Sequence, residues 1–234
     1  MVAFFVILTI IGFILVDSFV QWAEARQGRA LKRTAPRPEL VPALALETIS
    51  VPAGLFLDEG HTWIRLEPSG RTLIGMDEFA RRAIGRMDAV ELPNVGSVVR
   101  RGDPLFAVMQ NGRRAVFRAP LTGVVSAVNE NLARLPETGR TDPYEEGWVC
   151  ALKPKDLAAH LRHLFVAEEA RAWLRWEIER FKEFLTLRPM PQPALGQVLQ
   201  DGGQWAEGIL EMLDETSWEE FARTFLRSPR SSAE

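Results

Sequence analysis

The chain has 234 residues, 47% of them hydrophobic and 25% charged, an ordinary globular composition with room for one or two small domains. A net charge of -3 gives no general reason to expect nucleic-acid binding. The single cysteine, Cys150, excludes an intramolecular disulfide and is expected as a small buried residue closing a strand.

Residues Val2 to Val16 carry no charge, and the stretch continued to Trp22 has about the twenty residues that span a bilayer. No basic residue precedes it, whereas Arg26, Arg29, Lys32 and Arg33 follow. Residues 1–25 are therefore expected to form a transmembrane anchor, contacting lipid through residues 2–22, with its N-terminus outside and the rest cytoplasmic. A cleaved signal peptide, suggested by Ala23-Glu24-Ala25, lacks its basic n-region, and a buried soluble helix fits less well still. Asp17 either stays wet near the cytoplasmic interface or faces a polar group on a neighbouring membrane helix. Residues 26–50, basic and then rich in proline (Pro36, Pro38, Pro42), read as a linker with extended backbone.

A β domain is expected over residues 51–155. Thr62-Trp63-Ile64-Arg65-Leu66 alternates as a strand, Pro68-Ser69-Gly70 turns the chain, and Thr72-Leu73-Ile74-Gly75 returns it. Asp77 caps a predicted helix from Glu78 to Ile84 that turns Phe79, Ala83 and Ile84 inward. Short runs at 89–92 and 97–99 follow. The centre of the domain is a hairpin: Asn111-Gly112 sits between two apolar runs, and both residues tolerate positive φ. Pro120-Leu121-Thr122-Gly123 then turns into the strand ending at Val128. Many short strands joined by Gly, Pro and Asn turns indicate a small sandwich or barrel.

Residues 156–234 are expected as a helical extension. Leu157, Leu161, Leu164 and Phe165 form one helical stripe; Trp173, Leu174, Ile178, Phe181, Phe184 and Leu185 form a second, ended by Arg188-Pro189. Two short helices follow, one carrying Trp205, Ile209, Leu210 and Leu213. The other opens on a capping box of Ser217 and Glu220 and buries Trp218, Phe221 and Phe225. Asp201, Glu207, Glu211, Asp214, Glu215, Glu219 and Glu220 make its outer side acidic.

Four blocks carry a family resemblance: His61-Thr62-Trp63, Gly75-Met76-Asp77-Glu78-Phe79-Ala80, Val90-Glu91-Leu92-Pro93-Asn94-Val95-Gly96 and Asp142-Pro143-Tyr144-Glu145-Glu146-Gly147-Trp148. In that order they resemble the H protein of the glycine cleavage system, over residues 51 to about 155. The resemblance implies a lipoyl-type barrel-sandwich hybrid, mainly β with added α, whose hairpin tip carries a lipoyl-lysine. It also implies that residues from about 170 onward are an addition. Counting back from Pro120, the family's lysine falls on Gly112, and no lysine occurs between Lys32 and Lys153. Arginine cannot replace it, because a guanidinium stays protonated and is not nucleophilic. No cofactor is therefore expected.

No phosphate loop, nucleophile elbow or dinucleotide fingerprint is present, and His160 with His163 lacks further ligands for zinc. The chain is expected not to be an enzyme. The candidate partner-binding residues are Asp17, Arg113, Arg114, Arg118, Trp173, Trp176, Trp205 and Trp218. The arginines either form a solvated face or dock on an acidic protein surface or anionic headgroups. Alternation along a strand places Arg114 and Arg118 on one face and Arg113 on the other. The tryptophans either meet a partner or fold back onto the β domain. The expectation is an accessory subunit of a larger membrane complex, with other subunits and the bilayer as partners. The alternatives are a lipoyl-carrier-related protein or regulator, and a membrane-fusion adaptor of an efflux system.

Overall fold

The computed structural model describes residues 51–188 and 207–226. The expected anchor, Asp17, the linker and Trp205 lie outside the described residues. No helix among the described residues is long and apolar enough to cross a membrane.

Alternating strands build two antiparallel sheets. The larger contains β1 (Leu55–Leu57), β2 (Thr62–Leu66), β3 (Thr72–Met76), β5 (Val98–Val99), β8 (Gly123–Val128), β9 (Trp148–Pro154) and β10 (Phe165–Val166), in the order β10-β1-β2-β3-β9-β8-β5. The smaller contains β4 (Ala89–Glu91), β6 (Pro104–Gln110) and β7 (Arg113–Arg118), in the order β4-β6-β7. Apolar inner faces meet in one core that includes Trp63, Ile64, Ile74, Phe117, Leu121, Val125 and Leu152, all nearly or fully buried. The molecule is mainly β with added helices, as the spacing of turns and apolar runs predicts.

Helix α1 (Glu78–Ile84) begins where expected: the Asp77 carboxylate accepts from the Ala80 N–H at 2.9 Å. It buries Phe79, Ala83 and Ile84 against the sheets. Two short helices, α2 (Glu130–Arg134) and α3 (Thr138–Thr141), lead into β9, and α4 (Leu157–Leu161) follows it. The helical stripe expected to run through Phe165 is broken there. Phe165 and Val166 instead pair with Leu57 and Phe56, because an unpaired edge at β1 offers hydrogen bonds to a β-prone dipeptide.

Helix α5 (Ala167–Thr186) is the longest element among the described residues and buries Leu174, Ile178, Phe181, Phe184 and Leu185, the stripe that the 3.6-residue period marks. Helix α6 (Glu215–Phe225) buries Trp218, Phe221 and Phe225 as expected, but its N-cap is Asp214 rather than Ser217. The Asp214 carboxylate accepts from the Ser217 N–H at 2.8 Å, so Ser217 lies inside the first turn. Between them, Ile209–Met212 forms a single 3-10 turn. Phe79, Phe181, Phe184, Phe221 and Phe225 make one edge-and-stack cluster with centroid separations from 5.2 to 6.4 Å. The helices after the β domain thus fold back and complete its core.

Candidate interaction site at the hairpin

The tip of the β6–β7 hairpin is a two-residue turn with positive φ at both Asn111 (50°) and Gly112 (78°), the mirror-image geometry that matches strand twist. The Asp88 carboxylate fixes it by accepting from the Asn111 N–H at 2.6 Å. Inside the turn, Gln110 donates to the carbonyls of Ile84 and Arg86, which ties the hairpin to the end of α1. Gly112 itself is exposed, and no residue from 104 to 118 offers an amine for acylation.

The hairpin arginines divide as strand alternation predicts, and each has an intramolecular partner. Arg114, exposed, lays its fork on Glu91 at 2.7 and 2.9 Å, and the guanidinium holds the Glu91 carboxyl below its usual range. Arg118 donates to the Gly102 carbonyl at 3.0 Å. Arg113 points the other way, is buried, donates to the Leu213 carbonyl at 2.9 Å, and lies 4.6 Å above the ring of Trp218. Arg113 and Trp218, read from sequence as candidate contacts for a partner, therefore join the hairpin to the chain's own C-terminal segment.

The same segment grips α1. Arg81 pairs with Glu207 at 2.9 Å, the Gly208 N–H donates to the Arg82 carbonyl at 2.7 Å, and the Glu211 carboxylate accepts from the Arg86 N–H at 2.9 Å. The backbones approach so closely that a Cβ on Gly85 would lie 2.4 Å from the Gly208 Cα. Glu207 and Glu211, assigned from sequence to an acidic outer side, instead face the arginine-bearing helix. Sequence spacing could not supply this, since each pair is more than a hundred residues apart.

Three of the four family-like blocks, those at 61–63, 75–80 and 142–148, meet at the opposite end of α1. His61 is fully buried, with Nδ1 2.8 Å from Asp77 Oδ2 and Nε2 3.5 Å from Glu177 Oε1. The second contact is an ion pair rather than a good hydrogen bond, and Nε2 has no hydrogen-bond partner among the described residues. Burial alone would lower the imidazole pKa, but the two carboxylates outweigh it and raise it to about 9. Glu177 responds in the other direction: burial opposes its charge, yet the His61 imidazolium and Arg180 keep its pKa lowered. Beside this network Trp63 donates to the Pro143 carbonyl at 2.9 Å and the Tyr144 hydroxyl accepts from the Glu78 N–H at 3.3 Å. These motif residues hold β2, α1, α5 and the turn before β9 together. Sequence reading has His61 only as part of a family-like block and missed Glu177, whose place beside the apolar stripe of α5 is the available signal.

The remaining candidates scatter. Trp173 is half-buried, stacked on Phe165 at 4.9 Å and tilted against His61 at 5.2 Å. Trp176 is 57% exposed, with the Arg180 guanidinium 4.8 Å from its ring. His160 sits 3.3 Å from the Thr122 N–H through Nε2, and burial with the nearby Arg101 charge lowers its pKa. No group of three or more His, Cys, Asp or Glu among the described residues could hold a metal ion. Cys150 is buried in β9, and burial pushes its thiol up to about 12.

A family profile described as Glycine cleavage H-protein matches residues 55–177. A probable glycine cleavage system H protein of Pyrococcus furiosus is 37% identical over 122 residues, which cover 52% of this chain and 90% of the relative. The glycine cleavage system H protein of a Psychrobacter species is 41% identical over 125 residues, covering 53% of this chain and 98% of the relative. Among solved structures, a glycine cleavage system H protein from Mycobacterium marinum is 26% identical with a TM-score of 0.47, covering 53% of this chain and 98% of that one. The profile ends within α5, so the segment that grips the hairpin and α1 lies beyond it.

Proposed function

The chain belongs to the glycine cleavage H-protein family, and from that premise we propose that it is a non-catalytic accessory subunit of a membrane protein complex, built on a family domain that carries no lipoyl group. The observation that carries this reading is the missing amine: the hairpin turns through Asn111-Gly112, and no lysine stands between Lys32 and Lys153. A lipoyl group is held through an amide to a lysine, and the arginines that flank the turn are non-nucleophilic and already paired. The residues present at the hairpin therefore do not fit that group.

Two further features support a role in assembly. Residues 2–22 have the length and composition of a membrane anchor, and the basic residues that follow (Arg26, Arg29, Lys32 and Arg33) support a cytoplasmic side for the family domain. Residues 207–226 pack against the hairpin and α1, leaving the domain to act through its other surfaces.

The test is intact mass spectrometry of the chain purified from cells that lipoylate their other carrier domains. The unmodified mass is expected, together with co-purification of membrane subunits after mild detergent extraction. A covalent lipoyl group, on Lys153, Lys155 or elsewhere, would overturn the reading in favour of a carrier.

A further inference from the structure

The far end of the larger sheet has a surface chemistry unlike the rest of the domain. Val98 of β5 pairs with Val124 of β8, which pairs with Lys153 of β9, so the three side chains form one row on the outer face. Val98 is 73% exposed and Val124 39%, and Val95, in the loop that hydrogen-bonds to β8, is 60% exposed. Arg100 and Lys155, the residues that directly follow the last positions of β5 and β9, are both exposed. A valine ridge is thus flanked by Arg100, Lys153 and Lys155.

These cations are free of the pairing found elsewhere. Arg65, Arg71, Arg81, Arg82, Arg114 and Arg134 each meet a carboxylate within 4 Å, whereas Arg100, Lys153 and Lys155 make no ion pair among the described residues. No Asp or Glu occurs in residues 94–102, 121–128 or 149–155, the stretches that build this end of the sheet. The flanking Asp103 accepts from the Arg100 N–H at 2.8 Å, and Asp156 lies just past β9 with its backbone in the left-handed region.

We propose that the outer face of β5, β8 and β9 rests on an anionic lipid surface, with Val95, Val98 and Val124 at the headgroup boundary and Arg100, Lys153 and Lys155 against the lipid charges. The charge complementarity favours anions, since among the described residues the three strand stretches carry cations and no carboxylate, with Asp103 and Asp156 only at their margins. Long lysine and arginine side chains reach headgroups while their stems lie along apolar surface. This inference rests on the anchor reading above only for the domain being held near a bilayer.

The full chain suits the test. Val98→Cys, labelled with an environment-sensitive fluorophore, reports the ridge selectively, because buried Cys150 is unreactive. The labelled protein is reconstituted into nanodiscs of phosphatidylcholine alone or mixed with phosphatidylserine. A blue shift in the anionic discs alone is expected, reversed by raised salt and by Arg100→Glu, Lys153→Glu and Lys155→Glu together. Three cations near an anionic surface change the ratio of docked to free domain by about 100-fold. Identical spectra in both lipids would overturn the proposal. A label that shifts only in native membranes containing the protein's partners would assign the face to an acidic protein and also overturn it. Carbonate extraction, read in parallel, tests the anchor separately: release by carbonate with the lipid-dependent shift intact would defeat the anchor and leave this face standing.

Discussion

The two ends of the larger sheet treat charge in opposite ways. At the end of β1 and β2, His61, Asp77 and Glu177 are buried, His61 pairing with both carboxylates and half-buried Arg180 with Glu177, and the C-terminal segment closes over α1 with Arg81–Glu207. At the end of β8 and β5, Arg100, Lys153 and Lys155 stand in water beside exposed valines. Buried charges must find partners within the fold because desolvation is costly, whereas exposed ones need none and are free to be selected for contact. Pairing therefore separates the part of this molecule that holds it together from the part available to something else.

The comparison can be broken most directly at the closed end. Phe181→Ala removes the ring at the centre of the aromatic cluster and is expected to cost about 3–5 kcal/mol in chemical denaturation. Gly85→Ala forces a Cβ into the Gly208 backbone at a positive φ of 81°, with an expected loss of about 2 kcal/mol and faster hydrogen exchange in residues 207–226. Arg113→Met leaves the Leu213 carbonyl unpaired and removes the guanidinium from Trp218, costing about 2 kcal/mol. Arg114→Ala, on the exposed face of the same strand, is expected to change the denaturation midpoint by no measurable amount.

The His61 network sharpens the contrast through pH. A folded-state pKa raised from 6.5 to about 9 makes its stabilising contribution complete below about 6.5 and lost as pH climbs through about 9. Glu177, lowered from its ordinary 4.5, contributes above that value and loses its effect on acidification. Stability is expected to fall with pH between 6.5 and 9, and His61→Gln should flatten that slope in denaturation measured across the range. At the open end Val98→Ser should leave stability nearly unchanged, because the side chain is 73% exposed.

Much of the architecture was legible locally. Alternation and turn chemistry identified the hairpin at Asn111-Gly112, the Asp77 cap and the buried stripe of α5, since each depends on residues within a few positions of one another. Local pattern failed at Phe165-Val166, where the open edge of β1 turned an apparent helical stripe into a strand. It also failed at Asp214, where a carboxylate three residues earlier took the capping role given to Ser217. The candidate site was legible only as a set of residue types. Trp218 was recognised as an aromatic in need of cover, but not that Arg113 supplies part of it.

The residues alone determined the turn at the hairpin tip, the want of an amine there and the apolar stripes, because backbone preference and side-chain chemistry are short-range properties. Only the tertiary structure decided which charges meet. Glu207 reaches Arg81 and Glu177 reaches His61 across more than a hundred positions, and chain closure rather than spacing brings them within 4 Å. The same closure left the Arg100, Lys153 and Lys155 side chains with no ion pair among the described residues.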